Sequence, residues 1–127
     1  MSEAPILVVD DDPALLDVVA ETLRDEGFPV ATAEDGATAL RKVEQDPPSL
    51  VLLDMRMPRV DGWEFARRLG EKGIELPIVV MTAAADAAGW AAEIGADGYL
   101  AKPFGIGELI EAVGSHRRTA APNGTGD

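Results

Sequence analysis

The stretch ILVVDDDP, residues 6–13, joins four branched aliphatic residues to three adjacent aspartates. An uninterrupted apolar run of this kind is typical of a strand that is buried on both faces of a parallel sheet. Three neighbouring carboxylates repel one another, so they stay ionised together only where something neutralises their charge. The stretch therefore predicts a parallel α/β sheet with an acidic group at the end of a strand.

Composition narrows the class of protein. The 127 residues suit one domain, and the absence of cysteine excludes a disulfide framework and a zinc–thiolate site. The net charge of −12 is opposite to the basic surface that binds nucleic acid, and no apolar run approaches the roughly 20 residues of a membrane helix. We expect a cytoplasmic domain that binds neither nucleic acid nor membrane. Its acidity indicates a solvated surface or carboxylates gathered around a cation.

Apolar segments alternate with amphipathic helical patterns along the whole chain. This alternation predicts five parallel strands covered by helices on both faces, a doubly wound three-layer α/β fold. The predicted strands are Ile6 to Val9, Val30 to Ala33, Leu50 to Leu53, Ile78 to Met81 and Tyr99 to Ala101. The inward stripes of the helices are Leu16, Val19, Ala20 and Leu23; Ala39, Leu40 and Val43; Gly62, Phe65, Ala66 and Leu69; Ala87, Trp90, Ala91 and Ile94; and Ile106, Leu109, Ile110 and Val113.

Capping residues mark the ends of several helices. Asp12 before Pro13 predicts an N-cap followed by a proline in the first turn, and Asp86 is the predicted N-cap of the fourth helix. Gly27 and Gly73 stand where glycines end helices.

The segment RRTAAPNGTGD, residues 117–127, has no hydrophobic periodicity. We expect one folded domain over residues 1–118 and a disordered tail or truncated linker over residues 119–127. His116 has no evident partner in the sequence and is predicted to be a solvated surface residue.

Polar residues follow four of the five predicted strands. Ligands of parallel α/β sheets bind at the carboxyl ends of the strands, so these residues are expected to meet at one rim. The second strand ends in Glu34 and Asp35, with nothing distinctive. The residues that follow the other strands are Asp10, Asp11, Asp54, Thr82 and Lys102.

This set of groups suits phosphoryl transfer. Mg²⁺ prefers carboxylate oxygens, waters and a phosphate, and it would neutralise Asp10 and Asp11, whereas Asp12 suits the helix cap. Asp54 is a candidate nucleophile toward phosphorus. Thr82 and Lys102 can donate hydrogen bonds to phosphoryl oxygens.

The motifs ILVVDDD, VLLDMRMPRVDGWE, IVVMTA and GADGYLAKPF resemble those of one known family. They are similar to the receiver domains of two-component response regulators, the CheY-like superfamily, which includes stand-alone chemotaxis regulators. The resemblance covers residues 5–118. It implies a flavodoxin-like fold with the strand order 2-1-3-4-5.

The resemblance also implies a metal site. Asp54 would be the phosphoacceptor and, with Asp11, a direct ligand of Mg²⁺, for which Mn²⁺ could substitute. Asp10 would act mostly through water, and the backbone carbonyl of Arg56 would be the remaining protein ligand. Arg56 and Ala84 occupy positions that influence phosphorylation and hydrolysis rates in this family.

Thr82 and Tyr99 would form the phosphorylation switch in such a domain, with Lys102 as a further contact of the phosphoryl group. Thr82 and Lys102 would contact the phosphoryl group, and Tyr99 would turn inward when Thr82 moves. The face made by the fourth helix, fifth strand and fifth helix would then change shape.

The resemblance implies a signalling switch that catalyses only its own phosphorylation and Mg²⁺-dependent dephosphorylation. The phosphoryl group would come from a histidine kinase or a histidine phosphotransfer protein, and a downstream protein or an output domain would read the change. The domain would be a monomer or a weak, phosphorylation-dependent homodimer. The residues expected to dock the phosphohistidine partner are Ala14, Leu15, Val18, Pro103 and Phe104. Partial burial under a neighbouring loop is the alternative explanation for Leu15 and Val18.

Three other functions compete with the switch. An aspartyl-phosphate phosphatase of the haloacid dehalogenase kind would carry Asp where Arg56 stands. A flavodoxin-like cofactor binder would need a phosphate-cradling loop in place of the three aspartates. A degenerate receiver that only mediates contacts would be expected to lack Asp54, Lys102 or the acidic pair.

Overall fold

The structure is a computed structural model, and it describes residues 4–57 and 59–118. Strands and helices alternate along the chain, as the sequence predicts. The strands are β1 (Ile6–Val9), β2 (Val30–Ala33), β3 (Leu50–Asp54), β4 (Ile78–Ala83) and β5 (Gly98–Lys102). The helices are α1 (Pro13–Asp25), α2 (Gly36–Gln45), α3 (Gly62–Glu71), α4 (Ala84–Ile94) and α5 (Ile106–His116).

The five strands form one parallel sheet in the order β2-β1-β3-β4-β5, which confirms the predicted topology. Adjacent strands end close together, because Val9 pairs with Leu53 and Asp54 pairs with Met81. The carboxyl ends of the strands therefore share one rim, and the residues just after them are neighbours in space.

Each face of the sheet packs against its own apolar cluster. Alternate residues of β1 serve the two faces: Ile6 and Val8 lie in the cluster with α1 and α5, and Leu7 and Val9 lie in the cluster with α2, α3 and α4. All four are at most 1% exposed. Successive side chains of a strand point to opposite faces, so a strand covered on both sides needs an unbroken apolar run.

The predicted cap of α1 is present. Asp12 Oδ1 accepts hydrogen bonds from the N–H groups of Ala14 and Leu15, at 3.0 and 3.4 Å. Gly27 and Gly73 follow α1 and α3 with φ of +94° and +70°, a conformation that glycine adopts without steric cost.

The predicted cap of α4 is wrong. The helix begins at Ala84 with Ala83 as its N-cap, and no side chain caps it. Asp86 lies within the first turn instead. The reason is that β4 continues to Ala83 and runs directly into the helix, which leaves no loop to end at Asp86.

Two predictions for the last helix also need correction. Ile106 is 63% exposed because it is the first residue of α5, and the buried stripe begins at Leu109. His116 is half-buried instead of solvated, and its ring lies over β5: a Cβ added at Gly98 would be 2.8 Å from His116 Nε2.

Within the described ranges, no helix has both the length and the apolar character of a membrane span. The predicted tail, residues 119–127, lies outside the described residues.

Candidate phosphorylation site

Three carboxylates meet at the rim of the sheet. One carboxylate oxygen from each of Asp10, Asp11 and Asp54 lies within 4.8 Å of the others. Asp10 follows β1 and Asp54 ends β3, and these strands are neighbours in the sheet. Asp10 is 1% exposed and Asp54 is 6% exposed, whereas Asp11 is open to solvent. The structure thus brings together the acidic residues that the sequence singled out.

Lys102 supplies the positive charge of this cluster. Its Nζ donates to Asp10 Oδ2 at 2.7 Å and lies 3.8 Å from Asp54 Oδ2. The other oxygen of Asp10, Oδ1, accepts the backbone N–H of Asp12 at 2.9 Å. Both oxygens of Asp10 therefore have hydrogen-bond donors, which offsets the cost of burying its charge.

The negative charge of Asp54 is less well neutralised by its neighbours than that of Asp10. Burial, and next the negative charge of Asp10, raise the pKa of Asp54 to about 6. The ammonium of Lys102 and a backbone hydrogen bond from Arg56, at 3.3 Å to Oδ1, oppose that rise. A cation beside Asp54 would favour the ionised form, since opposite charges lower the pKa of a carboxyl.

Thr82 and Tyr99 lie on the neighbouring strands. Thr82 is 5% exposed and comes one residue after Met81, which pairs with Asp54. Tyr99 on β5 is 53% exposed, so its ring faces solvent. The buried hydroxyl of Thr82 thus lies on the strand beside Asp54, and the aromatic ring is turned outward.

An open cleft of about 540 Å³ adjoins the acidic cluster. Acidic, basic and aromatic residues line it together with two methionines. The lining residues are Asp11, Met55, Arg56, Met57, Asp61 and Trp63. A cleft of this size beside three carboxylates and a lysine has room for a small anion together with a cation.

The family model described as the response regulator receiver domain matches residues 6–114. This chain belongs to the response regulator receiver domain family. It is therefore a receiver domain of two-component signalling.

Relatives and solved structures agree with this assignment. The chain is 42% identical over 125 residues to the response regulator MprA of Mycolicibacterium vanbaalenii, with 96% of this chain and 54% of that protein covered. It is 40% identical to MprA of Mycobacterium leprae, with coverage of 93% and 53%. The chain thus spans about half the length of the curated relatives it matches.

Two solved structures share the fold closely. The receiver domain of NtrX from Brucella abortus is 34% identical, with a TM-score of 0.80 over 87% of this chain and 95% of that one. The chemotaxis protein CheY4 of Vibrio cholerae is 30% identical, with a TM-score of 0.80 and coverage of 90% and 98%.

The sequence did not indicate the aromatic cluster that lies beside the acidic cluster and its cleft. The guanidinium carbon of Arg56 lies 5.1 Å from the ring centroid of Trp90 on α4. Trp90 meets Trp63 of α3 edge to face, with centroids 4.8 Å apart, and Trp63 Nε1 donates to Glu93 at 2.8 Å. Periodicity identified Trp90 only as part of an inward stripe, because it cannot show which loop residue covers a ring.

The carboxylate after β2 also has a partner that the sequence did not indicate. Asp35 is buried, caps α2 by accepting the N–H of Thr38 at 2.8 Å, and pairs with Arg59. The Thr38 hydrogen bond, then Arg59, lower the pKa of Asp35 to about 2. Asp35, which the sequence left without a distinctive role, therefore joins α2 to the loop after β3.

The residues expected to dock a partner are partly covered. Leu15 and Phe104 are half-buried and pack on the same apolar cluster under α1 and α5. Val18 is 59% exposed, so no described loop covers it, and Ala14 and Pro103 are also exposed.

Proposed function

We propose that this receiver domain is a phospho-accepting switch in which Asp54 takes a phosphoryl group from a phosphohistidine. The donor would be a histidine kinase or a histidine phosphotransfer protein. One observation carries the proposal: the carboxylates of Asp10, Asp11 and Asp54 converge within 4.8 Å, and Lys102 lies beside two of them. A nucleophile next to a cation-binding pair and an ammonium is the arrangement that phosphoryl transfer requires.

The transfer step needs Asp54 as the nucleophile. A carboxylate oxygen of Asp54 attacks phosphorus, the P–N bond to the donor imidazole breaks, and the imidazole nitrogen keeps the electron pair and takes a proton. In this role Lys102, 3.8 Å from Asp54 Oδ2, pairs with one phosphoryl oxygen. The Thr82 hydroxyl donates to another. In hydrolysis, water attacks phosphorus, the bond to Asp54 breaks, and inorganic phosphate leaves.

The donor set fits a hard divalent cation. Asp11 is exposed, and Oδ2 of Asp54 lies 3.8 Å from the ammonium nitrogen of Lys102. Both carboxylates therefore have oxygens to offer as metal ligands, together with the backbone carbonyl of Arg56. Asp10 already accepts two hydrogen bonds, which supports an indirect role through water. When bound, Mg²⁺, or Mn²⁺ in its place, supplies the positive charge that lets carboxylates and phosphoryl oxygens approach each other.

The change would be read on the face formed by α4, β5 and α5. A phosphoryl group adds about −1.5 to −2 charges and three acceptor oxygens. Thr82 moves toward those oxygens, and Tyr99, which is 53% exposed in this structure, turns into the space that Thr82 leaves. The domain transforms no substrate other than its own phosphoryl group and is a regulator in this sense.

Docking of the donor would use the apolar strip at the start of α1 and the loop after β5. The strip is exposed at Val18, half-buried at Leu15, and rimmed by charge, which suits a transient partner. A downstream protein or an output domain would bind the switched face, with a weak homodimer as the alternative partner. The residues of the docking surface are Ala14, Leu15, Val18, Pro103 and Phe104.

Intact mass after incubation with acetyl phosphate tests the proposal. With Mg²⁺, the wild type should gain one phosphoryl group of about 80 Da. Asp54→Ala, and the wild type in EDTA, should gain none. Asp17→Ala, which removes an exposed carboxylate on α1, is the control and should be modified like the wild type.

Two results would contradict this function. An adduct on folded Asp54→Ala would place the phosphoryl group elsewhere. A folded wild type that gains no mass with Mg²⁺ would favour a receiver that acts only through contacts.

A further inference from the structure

Arg56 contacts the site with its backbone and a different element with its side chain. Its N–H donates to Asp54 Oδ1 at 3.3 Å, and its guanidinium carbon lies 5.1 Å from the ring centroid of Trp90. Arg56 is exposed and lines the same cleft as Asp11. A positive side chain therefore rests on an aromatic ring at the mouth of a site that would receive a dianion.

The ring under Arg56 belongs to a cluster that holds α4. Trp90 packs edge to face on Trp63 of α3, and Trp63 Nε1 donates to Glu93 of α4 at 2.8 Å. The N-terminus of α4 has no side-chain cap. Contacts through Trp90 and Glu93 are therefore part of what fixes this helix beside the site.

The two partners available to Arg56 differ in strength. A cation–π contact at an exposed position is weak, because water competes for the guanidinium. A hydrogen bond between a guanidinium and a phosphoryl oxygen carries charge on both sides and can be bidentate, so it is stronger. A phosphoryl group on Asp54 would be two residues from Arg56 and would draw it away from the ring.

We propose that Arg56 exchanges partners on phosphorylation. Its guanidinium rests on Trp90 in the unmodified domain and pairs with a phosphoryl oxygen once Asp54 is modified, which uncovers Trp90 on α4. The inference rests on the proposed function of Asp54. Trp90 is then a positioning residue that acts through Arg56, and the exchange links the charge at the site directly to α4.

The exchange has a consequence for the lifetime of the phosphoryl group. A guanidinium on a phosphoryl oxygen shields phosphorus from water, so hydrolysis proceeds from the fraction of molecules in which Arg56 is elsewhere. Trp90 increases that fraction because it competes for the guanidinium. Arg56 is therefore expected to slow hydrolysis and Trp90 to speed it.

Decay of the +80 Da adduct in single and double variants tests this competition. Arg56→Ala should shorten the lifetime by about three- to tenfold, the loss of one charge-assisted hydrogen bond. Trp90→Leu should lengthen it by about two- to fivefold, the equilibrium factor of an exposed cation–π contact. Arg56→Ala/Trp90→Leu should decay like Arg56→Ala alone. Trp90→Phe, which keeps a ring, should resemble the wild type, as should the surface control Arg41→Ala.

NMR detects the exchange itself. In the unmodified protein, the Hδ protons of Arg56 should be shifted upfield by the Trp90 ring current, with Trp90→Leu as the reference without the ring. Addition of Mg²⁺ and beryllium fluoride, a stable stand-in for the phosphoryl group, should move these resonances to the values seen in Trp90→Leu.

Each result decides between the exchange and a merely structural stack. An effect of Trp90→Leu that persists in the double variant would overturn the exchange, as would Arg56 resonances that stay shifted upfield with beryllium fluoride. A wild type that never forms the adduct would overturn the proposed function itself, and the exchange with it.

Discussion

Asp54 is held in a state that opposes its own ionisation. Its carboxyl is buried beside Asp10, and the compensating ammonium of Lys102 lies closer to Asp10 than to Asp54, at 2.7 against 3.8 Å. Burial and the neighbouring charge therefore raise its pKa to about 6. Such a group destabilises the fold when it is ionised, and a cation that approaches it offsets this cost. The stability of the domain is therefore coupled to occupancy of the site.

Asp54→Asn should reveal this cost in EDTA. The pKa of Asp54 is 3.8 in the unfolded reference and about 6 in the fold, so the folded state holds an extra proton between these values. The Asp54 contribution to stability therefore falls as pH rises through this window, by about 2 to 3 kcal/mol in all. Urea unfolding should show that the free energy of unfolding of Asp54→Asn, relative to that of the wild type, increases from pH 4 to 7. A difference that does not change with pH would contradict this.

The start of α2 packs tightly against the loop between β3 and α3. Gly36 donates its N–H to the carbonyl of Val60 at 3.1 Å, and the preceding Asp35 pairs with Arg59, which adopts φ +65°. This φ is uncommon for a residue with a side chain. A Cβ at Gly36 would lie 2.2 Å from the Val60 oxygen, so the two backbones meet at a distance that only glycine allows.

Gly36→Ala should therefore lower the free energy of unfolding by about 1 to 3 kcal/mol, because backbone atoms of the loop must shift to admit the methyl group. Gly70→Ala is the matched control. It lies in α3, and a Cβ there would meet nothing within 4 Å, so it should be neutral or stabilising by about 0.4 to 1 kcal/mol. Urea unfolding of both variants measures the difference. Equal stabilities would show that the loop yields without cost.

At the scale of the whole molecule, the shared rim of the sheet gathers four charged groups from distant parts of the chain. Hydrophobic periodicity and turn residues were enough to predict five parallel strands, both covered faces and the meeting of Asp10, Asp54 and Lys102, because parallel strands bring the residues at their carboxyl ends to one edge. The strand order was predicted only from the family resemblance. Contacts between side chains on the surface leave no such pattern in the sequence. Arg56 on Trp90 and Arg59 on Asp35 depend on how loops fold over helices, and the start of α4 depended on how far β4 extends.

Mg²⁺ should stabilise the entire domain through this rim. At a hundredfold excess over its Kd, one site that exists only in the folded state adds about 2.7 kcal/mol, or roughly 8 °C in Tm. Asp54→Asn should respond less, because it removes one of the proposed anionic ligands. NaCl at equal ionic strength is the control, since the net charge of −12 is also screened by salt. Equal shifts with both salts would argue against a specific site.

Both tryptophans of the chain lie in the pair formed by Trp63 and Trp90, with ring centroids 4.8 Å apart. The intrinsic fluorescence and near-ultraviolet dichroism of this protein therefore come mainly from a point next to the acidic rim of the sheet. Any rearrangement between α3 and α4 changes the optical signal directly, without an attached dye. The domain thus carries a built-in spectroscopic probe of how α3 and α4 are arranged.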